Sequence, residues 1–281
     1  MIKNFYQIYG FILNIINHLN FSLYNFLNLK IPFSKKKFLK LENIKSNKIV
    51  IFGSSKSVLN LTNKEKQILK HLPKVFMNKN LIYWKKINLW PEFYFLLDTP
   101  IKSKPVKNIF FETLKVLNSN NKILPILLLE KFYRFYTPEN IEKYYFNYNK
   151  SINLKWANKN NQTLFGSHGS ITSLLNVISL FQKFKHVILI GVDFNQAGYF
   201  FSDKEKNYYR FVDYEKDKLE KKKKLHSNLI KVRDVDILSF WPLINKKLKK
   251  NRIKLYCASK QSELVKKKLV KYKSIKEFNS L

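Results

Sequence analysis

The sequence predicts an α/β fold: a Rossmann-like, mostly parallel sheet with helices on both faces. Three observations carry that expectation. Val187 to Ile190 is an unbroken, mostly β-branched apolar run that ends at Gly191, with Asp193 two residues on; such a run reads as a strand buried on both faces. A second run, Lys48-Ile-Val-Ile-Phe52, ends in the same way at Gly53-Ser-Ser55. Two more, Lys74–Met77 and Phe93–Leu97, stop at Asn78 and Asp98, with helical stretches between some of these runs. Strands alternating with helices, each ending in small or polar residues, define a sheet whose strand ends gather on one side. Open α/β sheets hold their ligands at that carboxyl end.

Composition sets the outer limits. The chain has 281 residues, 45% of them hydrophobic and 16% aromatic, enough for a substantial core and against global disorder. Lys and Arg outnumber Asp and Glu by 53 to 19, a formal charge of +34, which implies an anionic partner of some kind. Most of the cations are lysine in a chain crowded with Asn, Ile, Phe and Tyr, so A/T-rich codon usage supplies part of that charge. Lysine also favours diffuse attraction over bidentate recognition. The single cysteine, Cys257, excludes an internal disulfide and a cysteine-based zinc site, and is expected to be a buried thiol in a reducing, cytoplasmic setting.

Taken in order, residues 1–47 read as an N-terminal amphipathic helix and a basic linker. Gln7, Asn14, His18 and Asn25 align as a neutral polar stripe, and Phe11, Ile15, Leu19, Leu23 and Phe26 belong to the broad apolar remainder. The stretch is too polar for a membrane span and has no small-residue cleavage site of a signal peptide. With Lys35, Lys36, Lys37 and Lys40 behind it, it suits the surface of an anionic membrane; packing on the chain's own core or on a second subunit is the alternative. Residues 48–281 form the Rossmann-like domain. Its first strand runs through Gly53, Ser54 and Ser55 toward a helix near Lys64–His71. The strand Lys74–Met77 follows, with Asn78 and Asn80 just after it, and then Phe93–Leu97 before Asp98.

The middle of the chain is less regular. Lys122–Leu129 fits a strand entered through Pro125, whereas Glu130–Tyr148, dense in aromatics and lysines, reads as helical or as a lid. Basic and aromatic interleaving is a composition that binds single-stranded nucleic acid, but no RNA-binding motif accompanies it. Gly166-Ser-His-Gly-Ser-Ile-Thr-Ser173 then opens an apolar helix, Leu174–Phe184. Free amides and hydroxyls at such a start suit a phosphate or carboxylate at Gly169, Ser170 and Thr172, and N-capping by Ser170 or Thr172 is the structural alternative. After Asp193 comes a polar, Tyr- and Lys-rich connection, residues 195–225, long enough to be a lid-like insertion. It ends in four lysines before Leu225 and His226, a histidine placed to act as a base near an anionic substrate. Asp234-Val-Asp236 has the spacing of a metal–nucleotide ligand. No second acidic cluster supports it, so Asp236 is read as the cap of the helix Ile237–Lys250. The strand Ile253–Cys257 follows, and the lysine-rich remainder from Ser259 reads as a helix and tail with a solvated face.

In this order the segments resemble the bacterial sialyltransferases of glycosyltransferase family 42, over roughly Ile49 to Leu264. Ile49-Val-Ile-Phe-Gly-Ser-Ser-Lys-Ser57 is similar to the family's strand and Gly-Asn-Gly-Pro-Ser nucleotide loop. Gly169-Ser-Ile-Thr172 with its helix, and Ile190-Gly-Val-Asp-Phe194, are similar to its Thr-Ser-Gly helix and Ser-Gly-Ile-Asp-Phe strand. His226 and the strand Arg252–Cys257 stand where relatives carry their histidine and following strand.

The resemblance implies a variant nucleotide-sugar transferase fold (GT-A type). It further implies inverting transfer of a sialic acid or related nonulosonate from a CMP-activated donor to a glycan or lipo-oligosaccharide, without a metal or other cofactor. On that basis His226 is the general base and Tyr199 the nearest candidate for a phosphate-binding tyrosine. Gly53, Ser54, Ser55, Asn78 or Asn80, Asp98, Gly169, Ser170, Thr172, Asp193 and Asn195 are the nucleotide-sugar contacts. Some positions depart from the family pattern. Ser54 and Lys56 replace an asparagine and a proline, Asn195 and Phe201 stand where the family has tyrosines, and His168 is nearest to a family arginine. A longer interval before Asp236 also allows a register that pairs the family histidine with Lys231.

The expected station is the inner membrane face, with an anionic bilayer and a homo-oligomer as further partners. A pterin diphosphokinase-like or flagellin-modifying relative shares this kind of core. A basic nucleic-acid-binding protein is the non-enzyme reading, which leaves the Gly and Asp strand ends without a role.

Overall fold

The structure, a computed structural model, describes residues 44–97, 104–130, 133, 141–146, 155–159, 162–165, 169–195 and 237–281. The chain divides into two units, Met1–Leu39 and Lys40–Leu281, and every element below belongs to the second. The amphipathic stretch with its basic cluster, Asp98, His168, the lid-like insertion from residue 196 on, Tyr199, Phe201, His226, Lys231, Asp234 and Asp236 lie outside the described residues.

In chain order the elements are β1 (Lys48–Phe52), α1 (Asn63–Lys70), β2 (Lys74–Met77), α2 (Trp84–Ile87), β3 (Phe93–Leu96), α3 (Lys104–Asn118), β4 (Ile126–Glu130), β5 (Lys143–Phe146), α4 (Ser170–Phe181), β6 (His186–Ile190), α5 (Trp241–Lys250), β7 (Lys254–Cys257), α6 (Glu263–Lys266), β8 (Lys271–Tyr272) and α7 (Ile275–Asn279). The strands form one eight-stranded sheet in the order β5-β4-β3-β2-β1-β6-β7-β8, and every pairing is parallel. From β1 the chain builds outward strand by strand to β5, then returns to lay β6 against the other edge of β1. That reversal puts a topological switch point between β1 and β6.

Alternation along the strands sorts the core into two layers. Val50, Phe52, Phe76, Tyr94, Leu96, Leu127, Leu129, Ile188 and Ile190 share one cluster with Leu69 of α1, Ile87 of α2, Phe110 and Leu117 of α3, and Ile275 and Phe278 of α7. On the opposite face Phe93 stacks on Phe181 of α4, and Trp241 of α5 meets Phe194 edge-on at 5.9 Å. Helices therefore cover both faces, as the long apolar strands require.

Two segments differ from the sequence expectation. Lys143–Phe146, inside the stretch read as helix or lid, is the edge strand β5; its aromatic run has strand propensity that its lysines mask, and Phe146 is buried. The C-terminus is not a solvated tail. β8 extends the sheet from β7, and α7 seals it, with Ile275 and Phe278 buried and a reciprocal capping box between Ser274 and Glu277. Two apolar residues three apart in a lysine-rich segment are all that this packing needs. Cys257 is buried as expected, and burial raises its thiol pKa.

The amino ends of the strands hold an unusual group. Lys74 is 2% exposed, and its ammonium donates to the carbonyls of Leu72 (2.6 Å), Leu69 (3.0 Å) and Lys70 (3.3 Å) and pairs with Glu92 at 3.1 Å. It closes the carboxyl end of α1, where orphan carbonyls and the helix dipole favour a cation. Burial lowers the Lys74 pKa and raises that of Glu92, and each charge partly offsets the other's shift.

At the start of β6, His186 stacks on Tyr256 with 9° between the rings, and its Nδ1 has no hydrogen-bond partner among the described residues. Burial, then Lys254, Lys48 and Lys273, hold its pKa below the ordinary 6.5. As pH falls through about 6.5 the unfolded chain takes up this proton before the folded chain does. Stability linked to His186 is thus present above that range and lost on descent toward the lower folded pKa. His186→Gln should flatten this part of a profile of melting temperature against pH, and an unchanged profile would remove the histidine from the account.

Candidate functional site

At the switch point the ends of β1 and β6 touch backbone to backbone. A Cβ on Gly53 would lie 2.2 Å from the Gly191 carbonyl oxygen, and one on Gly191 would lie 2.2 Å from Val58 Cγ2. Gly191 also has φ +69, a left-handed conformation that glycine adopts at little cost. The contact is laced by hydrogen bonds. Gly53 N–H donates to Ile190 O (2.7 Å), Ser55 N–H to Gly191 O (2.9 Å), and Asp193 N–H to Ser55 Oγ (3.3 Å). The amides of Gly53 and Ser55 and the hydroxyl of Ser55 are therefore used to join the two loops. Ser54, between them, turns its hydroxyl to Asn80 Oδ1 at 3.1 Å.

The two asparagines after β2 play different parts, which sequence alone left open. Asn80 is fully buried. Its amide donates to Phe52 O (2.7 Å) and Gly53 O (3.0 Å) while its oxygen accepts from Ser54. It is a clamp on the end of β1 with its capacity spent. Asn78 sits in the left-handed region at φ 50, a place asparagine tolerates. Its carbonyl accepts from Tyr94 Oη at 2.9 Å, and Tyr94 in turn accepts from Thr113 at 3.2 Å. The Asn78 side chain reaches across to the start of α4, donating to Ser170 Oγ at 3.4 Å, and among the described residues its Oδ1 has no hydrogen-bond partner. An orphaned amide oxygen beside a helix start is polar capacity left for something else.

The start of α4 corrects one expectation. Neither Ser170 nor Thr172 caps the helix: the N-cap is Gly169 at φ 122, with no side-chain cap hydrogen bond. Thr172 is buried and donates back to Gly169 O at 2.9 Å. The approach to this start is held by residues the sequence reading did not single out. Asn176, buried in α4, accepts from Ala157 N–H (3.0 Å) and Phe165 N–H (2.9 Å) and donates to Ala157 O (2.8 Å). Ser173 donates to Phe165 O at 2.8 Å. A lone asparagine inside an apolar helical stretch was the available signal.

Beyond β6, Asp193 is 1% exposed, and among the described residues its Oδ1 has no hydrogen-bond partner. Its carbonyl accepts from Glu263 N–H at 2.8 Å, Ser262 Oγ donates to Val192 O at 2.9 Å, and Asn195 donates weakly to Gln261 O at 3.4 Å. The loop before α6 thus fixes the exit from β6. Of the residues singled out from sequence, the fold brings Gly53, Ser54, Ser55, Asn78, Asn80, Gly169, Ser170, Thr172 and Asp193 around the carboxyl ends of β1, β2 and β6, the usual ligand crevice of an open α/β sheet. Among the described residues no group of three or more His, Cys, Asp or Glu side chains is placed to hold a metal ion.

No family model matches the sequence, and no curated protein matches it. Among solved structures, the chain is similar to the sialyltransferase CstII of Campylobacter jejuni in complex with cytidine-5'-monophosphate, at 16% identity over 81% of this chain and 85% of that one, with a TM-score of 0.48. It is also similar to the monofunctional alpha-2,3-sialyltransferase Cst-I of the same organism, at 14% identity over 83% of this chain and 82% of that one, TM-score 0.48. A more partial likeness is to the MAf glycosyltransferase of Magnetospirillum magneticum AMB-1, at 12% identity over 53% of this chain and 23% of that one, TM-score 0.33. The sialyltransferases are the group that the sequence motifs resemble.

The backbone contact at the switch point yields a direct test. Gly53→Ala has to push β1 and β6 apart, because the clash is with a carbonyl and not with a flexible side-chain tip. It should cost about 3 kcal/mol or more, read as a lower denaturation midpoint, whereas Ser54→Ala should cost under about 1 kcal/mol.

Proposed function

We propose that this chain is a glycosyltransferase of the sialyltransferase-like kind, moving a sialic acid or related nonulosonate from a CMP-activated donor to a cell-surface glycan or lipo-oligosaccharide. The observation that carries the reading is the Asn78–Ser170 junction at the switch-point crevice. There an asparagine with an orphaned oxygen faces a helix start that has no side-chain cap. An amide oxygen accepts from a sugar or base donor group, and the helix start with the positive end of the α4 dipole receives a phosphate. Ser54 stands at the same mouth. Asp193 and Asn80 act from below, holding the ends of β6 and β1. The donor class follows from the sequence resemblance.

In the reaction so assigned, the acceptor hydroxyl attacks the anomeric carbon as the bond from that carbon to the phosphate oxygen breaks. His226 takes the hydroxyl proton, and CMP leaves with the bonding electron pair. Charge grows on the departing phosphate, and the α4 amides and dipole stabilise it where it grows. Tyr199 is the side chain assigned to assist there. The site needs no metal in this scheme, because the amides and the dipole meet the phosphate charge.

A panel of CMP, CDP, UDP, GDP and ATP, each with and without magnesium, tests the reading by thermal shift. CMP should stabilise without metal. ATP acting only with magnesium would point instead to a diphosphokinase-like relative, and a flat panel would sink the assignment. The two asparagines should separate cleanly. Asn78→Gly, which keeps the left-handed backbone without strain, should weaken CMP binding roughly tenfold with little change in melting temperature. Asn80→Ala should destabilise by about 2–3 kcal/mol, since it strips two buried carbonyls of their donor. His226→Ala should abolish transfer while CMP affinity stays near wild type; undiminished turnover would dismiss it as the base.

A further inference from the structure

Away from the crevice, one surface combines features that the site does not use. Trp84 and Trp90 meet edge-on at 5.2 Å, each partly buried against the core and partly in water. The Trp90 indole N–H donates to Ile123 O at 2.8 Å, which pins the loop before β4. The Ile123 side chain nevertheless stands 90% exposed. A single exposed aliphatic is ordinary. One held on a fixed backbone, beside two half-exposed indoles, is an apolar tip that no described residue covers.

The segments that build it carry charge of one sign. Segments 79–91 and 119–125 contain no Asp or Glu, and Lys85, Lys86 and Lys122 are exposed there. Lys122 lies 5.3 Å over the Trp84 ring and Lys86 5.3 Å over that of Tyr83. The following acidic residue, Glu92, is turned to Lys74, and Glu112 is paired with Lys115 on α3.

We propose that this surface docks on an anionic lipid bilayer: Ile123 enters the acyl boundary, Trp84 and Trp90 sit at headgroup depth, and the lysines meet lipid phosphates. Indoles with one wet and one apolar side and lysines with apolar stems suit that layered environment. The lysines supply attraction to an anionic leaflet without directional recognition. The patch lies by the amino ends of β3 and β4, so a bilayer there leaves the carboxyl ends of the strands, with Gly53 and Gly191, open. This contact does not depend on what the crevice binds.

The tryptophans make the proposal measurable in the full chain. There are four; Trp156 is 5% and Trp241 0% exposed, which leaves Trp84 and Trp90 as those a lipid can reach. Tryptophan emission is followed on phosphatidylcholine vesicles with brominated acyl chains, with and without phosphatidylglycerol. Quenching should require the anionic lipid, disappear in a Trp84→Phe/Trp90→Phe variant that still binds, and fall with Ile123→Ser. Replacing Lys85, Lys86 and Lys122 by Ser should weaken vesicle binding roughly a hundredfold, about fivefold per lysine. Vesicle binding without quenching would place the attachment elsewhere on the chain and overturn the proposal. So would quenching that survives loss of both tryptophans, quenching equal on neutral vesicles, or an absence of vesicle binding. Tight, salt-sensitive duplex DNA binding through these lysines, with vesicles ignored, would overturn it as well.

Discussion

The close approach of Gly53 and Gly191 is the constraint on which the rest of the site depends. Two parallel strands can diverge at their carboxyl ends and leave a wide crevice, or they can be drawn together so that the loops above them share one framework. Here the absence of two Cβ atoms lets the backbones meet, and the amides of Gly53 and Ser55 then have carbonyls of β6 in reach. Once those groups are spent on each other, Asn80 can bind the remaining carbonyls at the end of β1, and Ser55 can receive Asp193. The crevice is correspondingly rigid at its floor. Its open polar groups lie one layer out, at Asn78 and the start of α4.

Much of this frame was legible in the residues. The buried strands read as continuous apolar runs, and their glycines mark the places where the chain has to turn at close quarters. The edges of the sheet were harder to read. β8 has only two residues, both exposed, and β5 carries a lysine and two tyrosines at half-buried positions, so neither periodicity nor hydrophobicity separates them from loop. The start of α4 misled for a different reason. Ser170 and Thr172 are the residue types that cap helices, yet Gly169 takes the cap position, and Thr172, one turn in, bonds backwards to it. Asn78 and Asn80 are indistinguishable in sequence. Only the path of the 3-10 turn Asn78–Leu81 decides which one is swallowed by the core and which faces the crevice.

The two ends of the sheet spend their buried polar groups differently. At the amino end, Lys74 has each visible demand met by carbonyls and by Glu92, an arrangement that fixes α1 against β2 and leaves little for a ligand. At the carboxyl end, Asn78 and Asp193 keep oxygens without partners among the described residues. Orphaned groups are costly in a core; at the amino end one is the His186 ring nitrogen, whose pKa burial and lysines lower, whereas at the carboxyl end they are oxygens that can accept from a ligand.

The strand order also dictates how the domain is assembled. β1 can pair with β2 as soon as both are made, and β3, β4 and β5 each lie next to their predecessor in sequence along the same edge. The other edge of β1 has to wait for residues 186–190, so for much of synthesis a hydrophobic strand edge stays open and exposed to unwanted pairing. Closing it brings together parts of the chain far apart in sequence, a slow step by topology. The same step creates the crevice floor. A nascent or partly folded chain is therefore without its site until the second half of the sheet has docked.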